Sequence, residues 1–185
     1  MYRKTFVYFL PDGEISDGSR PANREVPSRH TESVSGTLSL SPAAATRMTR
    51  SDWGDWLPRA VEAADPDTVA VWYLGCNGFI LKGSEGTTVA IDPYLGTGDP
   101  PRTVRMIPVP FDPEDVAEMD AVFATHEHTD HTHGPSQAPI LENTGASFYA
   151  PDDSLSVAFD DEAWLDDYDL DEDQFTEVAE GDILD

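Results

Sequence analysis

The chain has 185 residues, 39% of them hydrophobic and 10% aromatic, enough for one ordinary domain with a buried core. Eleven Lys and Arg stand against 36 Asp and Glu, a formal net charge of −25, and only two lysines occur, Lys4 and Lys82. So acidic a surface repels nucleic acid and anionic membranes and excludes both as partners.

The acidity is not spread evenly. Residues 1–47 carry six basic and five acidic groups, whereas 48–185 carry five and 31, with no Lys or Arg after Arg105. Residues 11–46 are rich in Pro, Gly, Ser and Thr without helical or strand period, so 1–47 reads as a disordered extension and Met48 as a natural start. "TFVYFL" (5–10) is too short for a secretory signal, and no apolar run approaches the ~20 residues that span a bilayer. With a single cysteine, Cys76, an internal disulfide is excluded, and a cytoplasmic protein is expected. Self-repulsion of this strength suits a salt-loving cytoplasm, because the Debye length falls to roughly 3 Å at about 1 M salt.

From Ser51 onward the pattern becomes regular. Trp53, Trp56, Leu57, Ala60, Val61 and Ala64 recur at helical spacing behind Ser51, which predicts an amphipathic helix over 52–64. "TVAVWYLG" (68–75) and "FILKG" (79–83) flank Asn77-Gly78, a hairpin signal, and "TTVAID" (87–92) adds a third strand after a Gly83–Gly86 turn. Asp112, followed by Pro113, predicts a short capped helix to about Met119, and "DAVFAT" (120–125) reads as a buried strand. Beyond it come a helix near 135–143, a strand at 146–150, a helix around 152–164 and a strand near 174–178. An antiparallel first half and a second half alternating strands with helices make the class α/β or α+β.

Four of the five histidines fall within "ATHEHTDHTHG" (124–134). On extended chain leaving a strand, residues two apart point the same way, so His126 and His128 aim at one point. Asp130 and His131 come next, at the bend, and offer a carboxylate and a third imidazole to a neighbouring point. Mixed imidazole and carboxylate suit Zn²⁺ or Mn²⁺ rather than the all-oxygen taste of Ca²⁺ or Mg²⁺. Asp130 also has the chemistry to orient a water and take its proton. His133 falls outside the spacing and reads as a loop or helix-start residue with at most a supporting role. Glu127 is expected to point away.

"THEHTDH" after a strand resembles the signature of the metallo-β-lactamase superfamily. "WGDWL", "VWYLGCNGFIL", "VAIDPYLGTG" and "DAVFATHEHTDH", in that order, are similar to the L-ascorbate-6-phosphate lactonases within it. The resemblance implies an αββα sandwich with His126 and His128 on a first metal, Asp130 and His131 on a second, and Asp92 supporting the metal loop. A plain strand-ending turn before Pro93 is the other account of Asp92. The reaction implied is ring opening of a sugar-acid phosphate lactone by metal-bound hydroxide. Phosphodiester or phospholipid hydrolysis on the same site is the alternative, and a non-catalytic metal-binding fragment or subunit is another. Arg102 and Arg105 are candidates for holding the anionic substrate, with ordinary surface arginines as the competing account.

Complete members of that superfamily carry further metal ligands in a second half, and no histidine occurs after His133 here. Residues 48–185 are therefore expected to form the first half of the sandwich. An apolar sheet face would be left open to a complementary C-terminal half or to a second copy, and weak metal binding with little or no turnover is expected of the chain alone.

Overall fold

The computed structural model describes residues 51, 53–98 and 104–184. The expected extension 1–47 and Arg102 lie outside the described residues. Six strands form one sheet in sequence order: β1 (Val69–Gly75), β2 (Gly78–Gly83), β3 (Thr88–Ile91), β4 (Ala121–Phe123), β5 (Ser147–Ala150) and β6 (Phe175–Glu177). β1, β2 and β3 pair antiparallel, while β3 to β6 pair parallel. The two connections within the parallel half that carry helices are those after β4 and β5. They hold α2 (Gly134–Thr144), then α3 (Asp152–Ser156), a π-helical turn (Val157–Asp161) and α4 (Trp164–Asp167). Helix α1 (Trp56–Glu62) precedes the sheet.

Register sorts the side chains into two faces. Trp72, Ile80, Ala90, Val122, Phe148 and Phe175 lie opposite one another across all six strands. The middle four are at most 2% exposed and pack with Leu57 and Val61 of α1, Ile140 and Leu141 of α2, and Trp164 of α4. The next row is Tyr73, Phe79, Ile91, Phe123, Tyr149 and Thr176, on the other face. It takes no part in that core. Tyr73 and Phe79 are 59% and 38% exposed, with Val69 and Val71 at 55% and 48% beside them on β1. One sheet face is packed, and on the other the apolar side chains of β1 and β2 stand exposed.

Several elements end earlier than their local signals predict. Ser51 accepts the amide of Trp53 rather than opening a helix at once, and α1 starts at Trp56, burying only Leu57 and Val61. Its last carbonyls, Val61 O and Glu62 O, are capped by buried Lys82 from β2, at 2.9 and 2.8 Å. Asp112 spends its carboxylate on the Ser51 amide, so only a 3₁₀ turn, Pro113–Asp115, forms where a helix to Met119 is predicted. The hairpin turn is centred on Cys76 and Asn77, one residue before the predicted pair, with Gly75 opposite Gly78. Cys76 is left-handed at φ 52°. Gly78 is needed for another reason: a Cβ there would lie 2.8 Å from Asp92 O.

Candidate metal centre

Parallel strands β3 and β4 run side by side and stop together, so the segments that leave them emerge at one edge of the sheet. After β3 comes Asp92. Its amide bonds Phe123 O at 2.8 Å, and its backbone turns left-handed at φ 47°, a strained conformation for a residue with a Cβ. The strain aims a buried carboxylate at the chain leaving β4. Oδ1 accepts the Thr125 amide at 2.8 Å, and Oδ2 accepts the Thr125 hydroxyl at 2.8 Å and meets His131 Nδ1 at 2.8 Å. Asp92 thus ends β3 in a turn and also joins Thr125 and His131 through its carboxylate. A carboxylate facing Nδ1 puts the proton there and leaves Nε2 of His131 with its lone pair outward.

The histidine loop is held by its own backbone. His131 N and Thr132 N both bond His128 O at 2.8 Å, the Thr132 hydroxyl donates to His126 O at 2.8 Å, and Gln137 Nε2 donates to His131 O at 2.6 Å. Within this frame Nε2 of His126 and Nδ1 of His128 approach to 3.1 Å. Two nitrogens on one tetrahedral zinc are about 3.3 Å apart, from bonds of ~2.0–2.1 Å. His131 Nε2 and Asp130 Oδ2 form a second pair at 3.7 Å. The rings of His126 and His131 are neighbours, with centroids 3.8 Å apart. The donor set thus fits divalent cations as two adjoining pairs. Among the described residues no three His, Cys, Asp or Glu side chains close on one point.

The pairs border an open cleft of about 760 Å³ lined by Cys76, Asn77, Tyr94, Arg105, His128 and Asp130 among others. Glu127 is also at its rim, exposed, with its Oε1 4.0 Å from His128 Nε2, the ring nitrogen that does not face His126. His133 caps the start of α2 and faces the edge of the Tyr94 ring, centroids 4.9 Å apart. Its Nδ1 lies 2.6 Å from Ser136 Oγ, which in turn accepts the Leu95 amide. Burial pushes the His133 imidazole down to about 4 and the Tyr94 phenol up. Neither is a ligand in this arrangement.

Arg105 lines the cleft, but its guanidinium donates to Tyr94 O at 2.6 Å, to Ile107 O at 3.0 Å and to Leu74 O. Those bonds tie the loop after β3 to the end of β1. The side chain expected to anchor substrate is a loop clamp here. Two residues at the site escape a reading of the histidine motif. Thr125 bridges Asp92 and lies 3.1 Å from His126 Nδ1, and Asn77, 53 positions before Asp130, donates to Asp130 Oδ2 at 3.0 Å. Asn77 announces itself in the sequence only as a turn residue.

A family model described as beta-lactamase superfamily domain matches residues 87–182, just over half of the chain. Curated proteins from Escherichia coli, Shigella boydii and Salmonella newport, each described as a probable L-ascorbate-6-phosphate lactonase, are 32% identical over 134 residues. Each alignment covers 60% of this chain and 38% of the relative. The chain thus spans about two fifths of the length of the curated relatives it matches. No helix among the described residues is long and apolar enough to cross a membrane.

Proposed function

The chain belongs to the beta-lactamase superfamily, and on that premise we propose that it carries the metal-binding part of a hydrolase that opens lactones of phosphorylated sugar acids. The observation that supports this most is the pairing of His126 with His128 and of Asp130 with His131, set on one frame by the buried Asp92 carboxylate. His126 and His128 would hold one Zn²⁺ or Mn²⁺ ion, and Asp130 and His131 a second. Ions so held supply hydroxide near neutral pH and polarise an ester carbonyl or phosphoryl oxygen. Asp130, exposed at the cleft, would orient a water and accept its proton, while Asp92 and Thr125 would keep His131 in the tautomer that presents Nε2. The lactone reading rests on the relatives' description, since fold alone does not choose a substrate.

A second polypeptide layer belongs to this reading. The open row of Tyr73, Phe79, Ile91, Phe123 and Tyr149 reaches the same edge of the sheet as the ligand pairs, so whatever covers the face abuts the cleft. A complementary β-sheet segment is the occupant this reading takes, with a second copy as the alternative. The chain by itself is expected to bind a hydrophobic dye and to self-associate at high salt. Substituting Val69 and Val71 together by lysine should reduce both, as read by dye fluorescence and light scattering, without lowering the unfolding midpoint. An unchanged signal would assign the stickiness to another surface. We also place the protein in a reducing, salt-rich cytoplasm, in keeping with its charge and its single cysteine.

Metal analysis of protein refolded with ZnCl₂ or MnCl₂ is the direct test. Uptake is expected for the natural chain, removal by chelator, and loss in the His126→Ala, His128→Ala double variant. In the presence of the complementary segment, metal-dependent consumption of L-ascorbate 6-phosphate should exceed that of bis(p-nitrophenyl) phosphate. The reverse order would favour the phosphodiesterase reading, and absence of metal uptake would remove the hydrolase reading altogether.

A further inference from the structure

Asn77 has no part in the signature that marks this family, yet the fold spends several contacts on placing it. It sits at the tip of the β1–β2 hairpin beside the left-handed Cys76. The Tyr73 hydroxyl donates to Cys76 O at 2.8 Å, and Arg105 donates to Leu74 O just before the turn. On the other side the absence of a side chain at Gly78 lets the hairpin lie against the backbone of Asp92. The tip is thereby clamped to the end of β3, and the Asn77 carboxamide faces the Asp130/His131 pair.

Its Nδ2 lies 3.0 Å from Asp130 Oδ2 and 3.0 Å from His131 Nε2. The chemistry fixes which end of the amide this is. The Asp130 carboxylate only accepts, and His131, with its Nδ1 proton held by Asp92, offers a lone pair at Nε2. An amide oxygen facing both would be repelled by both, whereas the NH₂ group has one hydrogen for each. The two acceptors that a cation would need are the two that this NH₂ group satisfies.

We propose that Asn77 is a gate on the second cation position: its carboxamide caps the Asp130/His131 pair in the metal-free protein and must withdraw for an ion to enter. Among the described residues no third side chain lies across the His126/His128 pair, whose nitrogens share only their own 3.1 Å contact, so the two positions fill in order, His126/His128 first. This inference rests on the metal reading above and adds to it a reason for unequal affinities that the ligands alone do not give.

The test is calorimetric titration of chelator-stripped protein with ZnCl₂, using the natural chain, Asn77→Ala and the near-isosteric Asn77→Leu. Two classes of site are expected in the natural chain. In both variants the weaker class should tighten by about tenfold, the scale of one or two relinquished hydrogen bonds, while the tighter class stays put. In the metal-free variants the ¹⁵N resonance of His131 Nε2 should also move toward that of an unbonded nitrogen lone pair. Thermal melts identify a variant that has lost its fold, and either substitution alone then suffices. Weaker or unchanged binding in the folded variants would overturn the gate and make Asn77 an orienting or passive residue. No uptake of Zn²⁺ by any of the three proteins would overturn the metal reading itself and the gate with it.

Discussion

Replacing Asp92 by alanine is expected to destabilise the protein by on the order of 3–5 kcal/mol and to weaken zinc binding by about 10- to 100-fold. The carboxylate is 3% exposed and is met by three donors, the Thr125 amide, the Thr125 hydroxyl and His131 Nδ1. Alanine leaves each of them without its acceptor, and for His131 Nδ1, on a side chain only 14% exposed, a buried donor stripped of its partner costs more than the hydrogen bond it made. Alanine also keeps the Cβ that makes φ 47° unfavourable while losing the bonds that offset it. Asparagine is the sharper variant because it preserves shape and tolerates the left-handed backbone. Its NH₂ group must still face at least one donor, so most of the loss should persist. Urea unfolding at neutral pH measures the first effect, and zinc titration of the folded variant measures the second. A loss below about 1 kcal/mol with unaltered zinc affinity would reduce Asp92 to a strand-ending turn.

The same residue shows where the sequence was legible and where it was not. Strands β1 to β5 and helix α2 announce themselves through short-range patterns that tertiary packing then reinforces: alternation in "TVAVWYLG", the apolar run in "DAVFA", and Gly145 after α2, left-handed at φ 70°. The cluster of candidate donors was legible for the same reason. Its residues occupy six consecutive positions, and the two-residue spacing of His126 and His128 needs only an extended chain.

What was not legible depends on partners far away in sequence. Asp112 has the form of a helix cap, but the Ser51 amide claims its carboxylate across 61 residues. The helix expected around 152–164 breaks because Glu162 is drawn to the start of α2. It accepts the Gly134 amide at 2.6 Å and Trp164 Nε1 at 2.8 Å, and Ala163 takes a left-handed φ of 49° so that Trp164 can be buried. Asn77 and Arg105 belong to this class too. Nothing in "GCNG" says that a carboxylate 53 residues later will face it, and nothing near Arg105 says that four carbonyls will claim its side chain. Local propensity shows which segments become strands and helices, while the chemistry of the cleft depends on which chain ends the sheet brings together.

Lowering the pH from 6.5 to 4 is expected to withdraw roughly 3 kcal/mol of stability through His133 alone. Burial holds its folded-state value at about 4 against an ordinary 6.5, so over that interval the unfolded chain binds a proton that the native protein refuses. Stability must then fall as the pH drops, starting near 6.5 and levelling off below about 4, while above 6.5 both states are neutral and the residue contributes no slope. The geometry agrees in sign. Ser136 Oγ accepts the Leu95 amide and has its own proton left for His133 Nδ1, and the Tyr94 ring closes another side, so neither neighbour offers an anion to a charged imidazole. A single profile mixes the contributions of many groups. The difference between the natural chain and His133→Gln isolates one. Urea unfolding of both metal-free proteins at intervals from pH 7.5 to 4 should show curves that converge at the acid end, the natural chain having lost its advantage. Parallel curves over the whole range would mean that His133 takes up its proton in the folded state as readily as in the unfolded chain.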